Sequence, residues 1–217
     1  METQEQKPDY TPNASGLSMK FVEAVAYAAD AHAGQVRKGT AIPYIEHPLG
    51  VASLVIKFGG SEDQAIAALL HDVVEDCDPV YGEKIQEVFG SRVASIVAQL
   101  TDGVKDENGA KPDWRARKVK HLAALRDASP DVLLVMACDK IHNARSLRSE
   151  LPLRGLNAYA KFRGGIDGTF WYLKSCADLA GGTPAGVVLS SLVYEIGQIT
   201  SALLSQEADT AEPATIQ

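Results

Sequence analysis

Cysteine is scarce in this chain. Only three occur among the 217 residues, Cys77, Cys138 and Cys176, and they lie far apart with no Cys-x-x-Cys pair. An odd number of isolated thiols fits neither a disulfide framework nor a thiolate zinc site. We therefore expect a reducing compartment and predict a cytoplasmic location.

A stripe of positive charge is also missing. Asp and Glu number 28 against 21 Lys and Arg, which gives a formal net charge of −7. Because polyanion binding depends on clustered Lys and Arg, we expect no nucleic-acid partner. A small anionic substrate is compatible with this charge where local cations or a metal offset it.

The first fifteen residues lack the basic and apolar regions of a secretory signal peptide, so we expect none. The polar composition of both ends predicts a disordered segment over 1–16 and a disordered tail over 206–217. The length between them suits a single domain, which we place at 17–205.

Strand-like alternation is absent, and nearly every segment repeats its apolar residues with helical period. Ser61 and Gln64 have the spacing of a capping box, which predicts that a helix carrying His71 and Asp72 starts there. Gly and Pro residues indicate where the other helices begin and end. The sequence predicts an all-α bundle with helices near 18–33, 47–58, 81–89, 91–101, 113–127, 131–149, 156–179 and 185–204.

The last of these helices is the most apolar. Polar residues such as Ser190, Glu195 and Gln198 interrupt it, so we predict a buried or partner-facing helix rather than a membrane span. Its sequence leaves open whether it covers the core or forms a homodimer.

Four polar residues follow one another closely in the apolar stretch 67–76. His71 and Asp72 are adjacent, and Glu75 and Asp76 follow one helical turn later. Residues at i and i+4 on a helix lie about 6 Å apart. Carboxylates so close repel one another, which indicates a divalent metal.

Two further residues are candidates for the same site. His47 opens an apolar helix, and Asp139 follows the apolar run 132–138, so burial of either side chain requires a partner. Two imidazoles and two carboxylates suit Mn, Fe or Zn better than calcium. Glu75 and Asp76 near a helix end oppose the helix dipole, which favours a functional role for them.

The other three histidines are weaker candidates. His121 lies in the basic run 115–120, which predicts a solvated helix face. His32 at the end of the first helix is typical of a structural cation. His142 is expected to point away from the site, because Asn143 at i+4 from Asp139 is better aligned.

Three sequence blocks occur in order: Arg37-Lys38-Gly-Thr-x-x-Pro43-Tyr44-x-x-His47-Pro48, Ala68-Leu-Leu-His-Asp-x-x-Glu-Asp76 and Asp139-Lys140-x-x-Asn143-x-Arg145. Together they resemble the HD superfamily of metal-dependent phosphohydrolases. They are most similar to the hydrolase domain of the bifunctional alarmone (ppGpp) enzymes and to small alarmone hydrolases. The resemblance covers about residues 20–150.

This resemblance implies a compact helical HD-domain bundle with an extra C-terminal helix, acting as a (p)ppGpp 3′-pyrophosphohydrolase. It implies that Glu75 and Asp76 handle the attacking water, that Arg37 and Lys38 lie against the guanine base, and that Asn143 contacts the ribose or positions the substrate. The metal, usually Mn²⁺ with other divalent ions as alternatives, is expected on His47, His71, Asp72 and Asp139.

Two alternatives stay open at this point. The same metal site could serve an HD phosphohydrolase for another nucleotide, such as an adenosine analogue, a nucleoside monophosphate or a dinucleotide phosphate. The chain could also be a non-catalytic nucleotide sensor, although a sensor has little need of both Glu75 and Asp76.

Overall fold

A computed structural model describes residues 16–77, 81–103 and 112–211. Strand-type pairing within these ranges is limited to an isolated antiparallel bridge between Val36 and Pro43, which confirms the predicted all-α class. The helices are α1 (Met19–Ala31), α2 (Glu46–Lys57), α3 (Glu62–Leu70), α4 (Val73–Asp76), α5 (Tyr81–Leu100), α6 (Trp114–Leu125), α7 (Pro130–Arg154), a 3₁₀ helix (Gly155–Tyr159), α8 (Gly165–Leu179) and α9 (Pro184–Ala211).

Helix α3 lies at the centre of the bundle. Every residue from Gln64 to Leu70 is buried, and the helix packs against α1, α2, α5 and α7. The predicted capping box is present, because Ser61 Oγ accepts from the Gln64 N–H and Gln64 Oε1 accepts from the Ser61 N–H at 2.7 Å. This start directs the end of α3, and with it His71, into the protein interior.

The chain leaves regular helix directly after α3. His71 and Asp72 form a turn before α4, so the prediction that this helix carries His71 and Asp72 is wrong. His71 Nδ1 lies 2.8 Å from the Ala68 carbonyl, which a continuing helix would pair with the Asp72 N–H. The side chain competes for that acceptor and favours the break.

The later helices differ from prediction at their ends. The predicted break in α5 is confirmed at Gly90, where φ is 86°. Helix α7 continues past Pro152 to Arg154 and ends at Gly155, where φ is 57°. A proline in the last turn forfeits one hydrogen bond at an exposed helix end, which the fold tolerates.

The predicted helix over 156–179 is two elements, the 3₁₀ helix and α8. Residues 160–164 separate them, and α8 begins at Gly165 after Gly164 as its N-cap. A Cβ on Gly164 would lie 2.5 Å from the Trp114 ring, and Gly165 has a φ of 59°. The two glycines therefore permit a turn and a close approach to α6 that other residues would resist.

Helix α9 packs against α7 and α8 and is anchored by a buried 2.7 Å hydrogen bond between Tyr159 Oη and Thr200 Oγ1. Its segment Pro184–Glu207 is long and apolar enough to cross a membrane, by length and composition alone. The helix runs to Ala211, into the predicted tail 206–217. Residues 212–217, like 1–15, lie outside the described residues.

His121 is buried, so the prediction of a solvated helix face is wrong. Only 7% of the residue is exposed. Its Nδ1 lies 3.1 Å from Tyr172 Oη and its Nε2 lies 3.2 Å from the Gln99 carbonyl. The basic run turns inward because Arg117 and Lys118 both form ion pairs with Asp102.

The His121 environment predicts a pH-dependent stability. Burial, reinforced by Lys140, lowers the pKa of His121 to about 4, so the folded protein binds fewer protons than the unfolded chain between about pH 4 and pH 6.5. The resulting stability is present above pH 6.5 and is lost as the pH falls towards 4. Between pH 7 and pH 5 the free energy of unfolding, measured with urea, should fall in both proteins. The fall should be smaller by about 2 kcal/mol in His121→Gln than in wild type. An equal loss in both proteins would contradict this pKa assignment.

Candidate active site

The four predicted metal ligands converge from three parts of the bundle. His47 comes from α2, His71 and Asp72 from the turn after α3, and Asp139 from the middle of α7. His47 Nε2 lies 3.2 Å from Asp139 Oδ1 and 3.5 Å from Asp72 Oδ2. His71 Nε2 lies 3.2 Å from Asp72 Oδ2 and 3.9 Å from Asp139 Oδ1. The two Nε2 atoms therefore face the same carboxylates.

The orientation of His71 fits a metal ligand. Its Nδ1–H donates to the Ala68 carbonyl, so Nε2 faces the cluster and is the atom that would bind a metal once its proton is displaced. Nε2 is buried and, although Asp72 Oδ2 lies 3.2 Å away, makes no hydrogen bond of good geometry within the described residues. This arrangement is costly unless another group binds the atom. His47, His71 and Asp139 each place one donor atom within 4.8 Å of the others. This set of nitrogen and oxygen donors fits a divalent transition metal.

The cluster is strongly polarised without any ion. Burial lowers the pKa of His47. Burial also opposes protonation of His71, but the Asp72 and Asp139 carboxylates outweigh it and raise the pKa of His71 to about 9. Burial opposes ionisation of Asp139, yet Lys140 and the two imidazoles hold the pKa of this carboxyl well below its usual range. The carboxylates are therefore ionised and attract positive charge.

Two neighbouring side chains hold the carboxylates in place. Tyr44 Oη donates to Asp72 Oδ2 at 2.6 Å, and Lys140 Nζ donates to Asp139 Oδ2 at 2.5 Å. Sequence reasoning gave neither residue a role, although both lie inside the recognised blocks. Their side chains belong to the site only through contacts made by the folded chain.

The predicted substrate residues Asn143 and Arg37 are linked to the cluster. Asn143 Nδ2 donates to Asp139 Oδ1 at 2.6 Å, and Arg37 Nη2 donates to Asn143 Oδ1 at 3.1 Å. The Arg37 guanidinium lies 5.7 Å from the centroid of the Tyr44 ring. Lys38 is on the surface, where Nζ donates to the Lys161 carbonyl at 2.5 Å.

Glu75 lies on α4, one turn after Asp72. Its Oε2 accepts from the Asp102 N–H at 3.5 Å, and its Oε1 lies 3.8 Å from Arg117 Nη1. Asp76 is the last residue of α4, and its side chain lies outside the described residues.

His142 is close to the cluster, contrary to the expectation that it points away. Its Nδ1 is 2.9 Å from His47 Nδ1, and its Nε2 is 3.2 Å from Glu46 Oε1. The spacing from Asp139 gave no signal for this contact, because the partner is His47 on another helix.

Two cavities flank the cluster. The larger, of about 930 Å³, includes the cationic side chains of Arg37, Lys38, Lys57, Arg145 and Lys161 in its lining. The smaller, of about 190 Å³, is lined in part by Lys118, Lys140, Arg163 and Tyr172. Asn143 and Phe162 line both cavities. Glu46 and Glu150 also line the larger cavity, but its cations outnumber them, so the site can attract an anion.

A helical bundle with a buried cluster of imidazoles and carboxylates defines a class of metal-binding helical proteins. Within that class, the chain belongs to the HD domain family, whose model matches residues 24–167. The superfamily predicted from the three sequence blocks is therefore confirmed.

Individual relatives narrow the comparison. The guanosine-3′,5′-bis(diphosphate) 3′-pyrophosphohydrolase MESH1 of Xenopus tropicalis is 38% identical over 135 residues, 61% of this chain and 72% of that protein. A probable guanosine-3′,5′-bis(diphosphate) 3′-pyrophosphohydrolase of Synechocystis is 36% identical over 129 residues, 59% of this chain and only 17% of that protein. This chain thus spans most of the first relative and a small part of the second.

A solved structure is similar over nearly the whole fold. It is described as a metazoan ortholog of SpoT that hydrolyzes ppGpp. It has a TM-score of 0.66 and 27% sequence identity, and the match covers 87% of this chain and 98% of that one.

Removing one carboxylate tests the metal site directly. Asp72→Ala should fold, because Asp72 lies outside the apolar core. The variant should bind Mn²⁺ at least roughly 100-fold more weakly in calorimetry, since loss of even an outer-shell partner lowers metal affinity 10- to 100-fold. Mn²⁺ at 100 times its Kd should add about 2.7 kcal/mol to the unfolding free energy of wild type. Asp72→Ala should gain almost nothing.

The matched control is Asp178→Ala, which removes an exposed carboxylate of α8 from a surface pair with Lys174. It should bind Mn²⁺ as wild type does. Equal Mn²⁺ affinity in Asp72→Ala and Asp178→Ala would contradict the metal site.

Proposed function

We propose that this HD-domain protein is a metal-dependent (p)ppGpp 3′-pyrophosphohydrolase, which converts ppGpp or pppGpp to pyrophosphate and GDP or GTP. The observation that carries this proposal is the buried group of His47, His71 and Asp139, with the half-buried Asp72 against it, beside a cavity lined by cations. The cavity volume of about 930 Å³ is of the size usual for small-molecule sites. The names of the relatives support the choice of nucleotide.

The proposed metal ligands are His47, His71, Asp72 and Asp139, with Mn²⁺ as the proposed ion. A divalent cation bound there would lower the pKa of a water molecule and polarise a phosphoryl oxygen. The His71 Nε2 that faces both carboxylates without a hydrogen bond of good geometry, together with the ionised carboxylates, supports this assignment.

Glu75 and Asp76 are the proposed catalytic residues. One of their carboxylates accepts a proton from the attacking water while the other orients it. The water oxygen forms a bond to the phosphorus attached to O3′, the P–O3′ bond breaks, and O3′ leaves on the nucleoside with a proton. The Arg117 guanidinium, 3.8 Å from Glu75 Oε1, helps to position the Glu75 carboxylate.

Arg37, Lys38 and Asn143 are proposed to bind the nucleoside. A planar guanidinium beside the Tyr44 ring suits stacking on a purine. Asn143 bridges Arg37 and Asp139, so a ribose held by its amide would lie between the base site and the metal ligands.

The smaller cavity is proposed to receive the 3′-diphosphate. Lys118, Lys140 and Arg163 line it, and it adjoins the metal cluster through Asn143. Burial opposes the charge on Lys140, but the Asp139 carboxylate outweighs it and raises the pKa of Lys140 well above its ordinary value. Lys140 is therefore cationic at neutral pH and suited to a phosphate.

The cytoplasmic location, the homodimer and the absence of nucleic-acid and membrane partners stay predictions from the sequence. They add nothing to the chemistry proposed for the site.

Product analysis tests the reaction. Purified protein with ppGpp and Mn²⁺ should yield pyrophosphate and GDP in equal amounts on ion-exchange chromatography. Asp72→Ala should yield neither, and Asp178→Ala should match wild type. Orthophosphate or free nucleoside from another nucleotide would instead identify a different HD phosphohydrolase, and ppGpp binding without turnover under any divalent metal would identify a sensor.

The phosphate cavity makes a separate prediction. Arg163→Ala should raise KM for ppGpp by roughly tenfold, since a hydrogen bond to a charged group contributes about 1.5 kcal/mol or more. Mn²⁺ affinity should not change. Arg126→Ala, which removes an exposed guanidinium at the end of α6, is the control and should leave KM unchanged. An unchanged KM in Arg163→Ala would exclude Arg163 from phosphate binding.

A further inference from the structure

Two side chains outside the ligand cluster, Glu46 and His142, form a hydrogen-bonded series that ends on His47. Glu46 Oε1 is 3.2 Å from His142 Nε2, and His142 Nδ1 is 2.9 Å from His47 Nδ1. The two imidazole rings lie 4.9 Å apart at an angle of 60°. His47 Nε2, on the other side of its ring, faces the carboxylates of the cluster.

The positions of the protons between Glu46, His142 and His47 follow from the geometry. Two Nδ1 atoms at hydrogen-bond distance share one proton. If His47 offers the lone pair of Nε2 to a metal, its own proton lies on Nδ1 and is donated to His142 Nδ1. The proton of His142 then lies on Nε2, where the Glu46 carboxylate accepts it. Every donor in this chain meets an acceptor, and the metal-binding form of His47 is the one selected.

We propose that His142 is a positioning residue for the metal site, which holds His47 in its ligating tautomer and ring orientation, while Glu46 orients His142. The inference deepens the proposed function because it takes His47 as a metal ligand. Outer-shell acceptors of this kind raise ligand basicity and fix ring direction, and losing one typically costs 10- to 100-fold in metal affinity.

A glycine in α2 makes room for His142. A Cβ on Gly50 would lie 2.3 Å from His142 Nε2 and 2.4 Å from its Cδ2, so any larger residue displaces the imidazole. Glycine inside a helix is otherwise unfavourable compared with alanine. The close approach of His142 gives a physical reason for Gly50 in the middle of α2.

The same glycine provides a test that does not weaken the fold. Gly50→Ala should push the His142 ring away from His47 and Glu46 while α2 gains helix propensity. Calorimetry without nucleotide should then show Mn²⁺ binding 10- to 100-fold weaker than in wild type, with a Tm of the metal-free protein that is no lower. His142→Phe should lose affinity similarly. His142→Gln should retain most of it, because its amide can accept from His47 and donate to Glu46.

The matched control is Gly197→Ala in α9, where the new Cβ meets Phe170 at an ordinary 3.5 Å. It should bind Mn²⁺ as wild type does. Turnover by Gly50→Ala should recover at high Mn²⁺, since the loss is one of affinity.

Mn²⁺ affinities of Gly50→Ala and His142→Phe within threefold of wild type would overturn the role of His142. Wild type that binds Mn²⁺ but leaves ppGpp intact would overturn the proposed reaction and leave the role of His142 in metal binding standing. Wild type that binds no Mn²⁺ would overturn both.

Discussion

The electrostatic problem at the end of α3 determines much of this structure. Asp72 and Asp139 are ionised beside two imidazoles, in a region whose apolar surroundings penalise charge. Tyr44, Lys140 and Asn143 each satisfy part of the demand by donating to these carboxylates. His71 Nε2 makes no hydrogen bond of good geometry within the described chain and faces the two carboxylates, an arrangement that suits a bound cation. The helical bundle therefore holds the charged residues of the site in place in addition to burying an apolar core.

Around this centre, positively charged side chains surround the carboxylates. The carboxylates lie innermost, and the cations that line the two cavities lie outside them. A chain of net charge −7 can attract a phosphorylated substrate because the field near the site is set by these neighbours and not by the total charge. The buried pairing of Asp102 with Arg117 and Lys118 turns α6 inward and brings Lys118 to the smaller cavity. Ion pairs within the fold thus decide which cationic side chains line the cavities.

Much of this arrangement was predictable from the sequence. Helical periodicity and the Ser61 capping box predict α3, and polar residues in apolar surroundings predict His47, His71, Asp72 and Asp139 as a group, which the structure brings together. His121 and His142 were wrongly assigned because their partners, Tyr172 and His47, are distant in sequence and leave no local pattern. The turn at His71 was missed since it depends on a side chain that competes for a backbone carbonyl. Contacts between elements that are distant in sequence leave no local pattern, so they could not be predicted.

The burial of α3 separates two kinds of residue in this protein. Because every position from Gln64 to Leu70 packs in the interior, a change there disturbs the whole bundle and the placement of His71 together. The walls of the two cavities come instead from α2, α6, α7, α8, the segment before α2 and residues 161–163, where many side chains reach solvent. Chains that share this scaffold can therefore diverge in the molecule they accept by altering the periphery, while the reactive centre stays fixed by packing. Substitutions in the cavity walls can therefore change which molecule is bound without disturbing the residues at the end of α3.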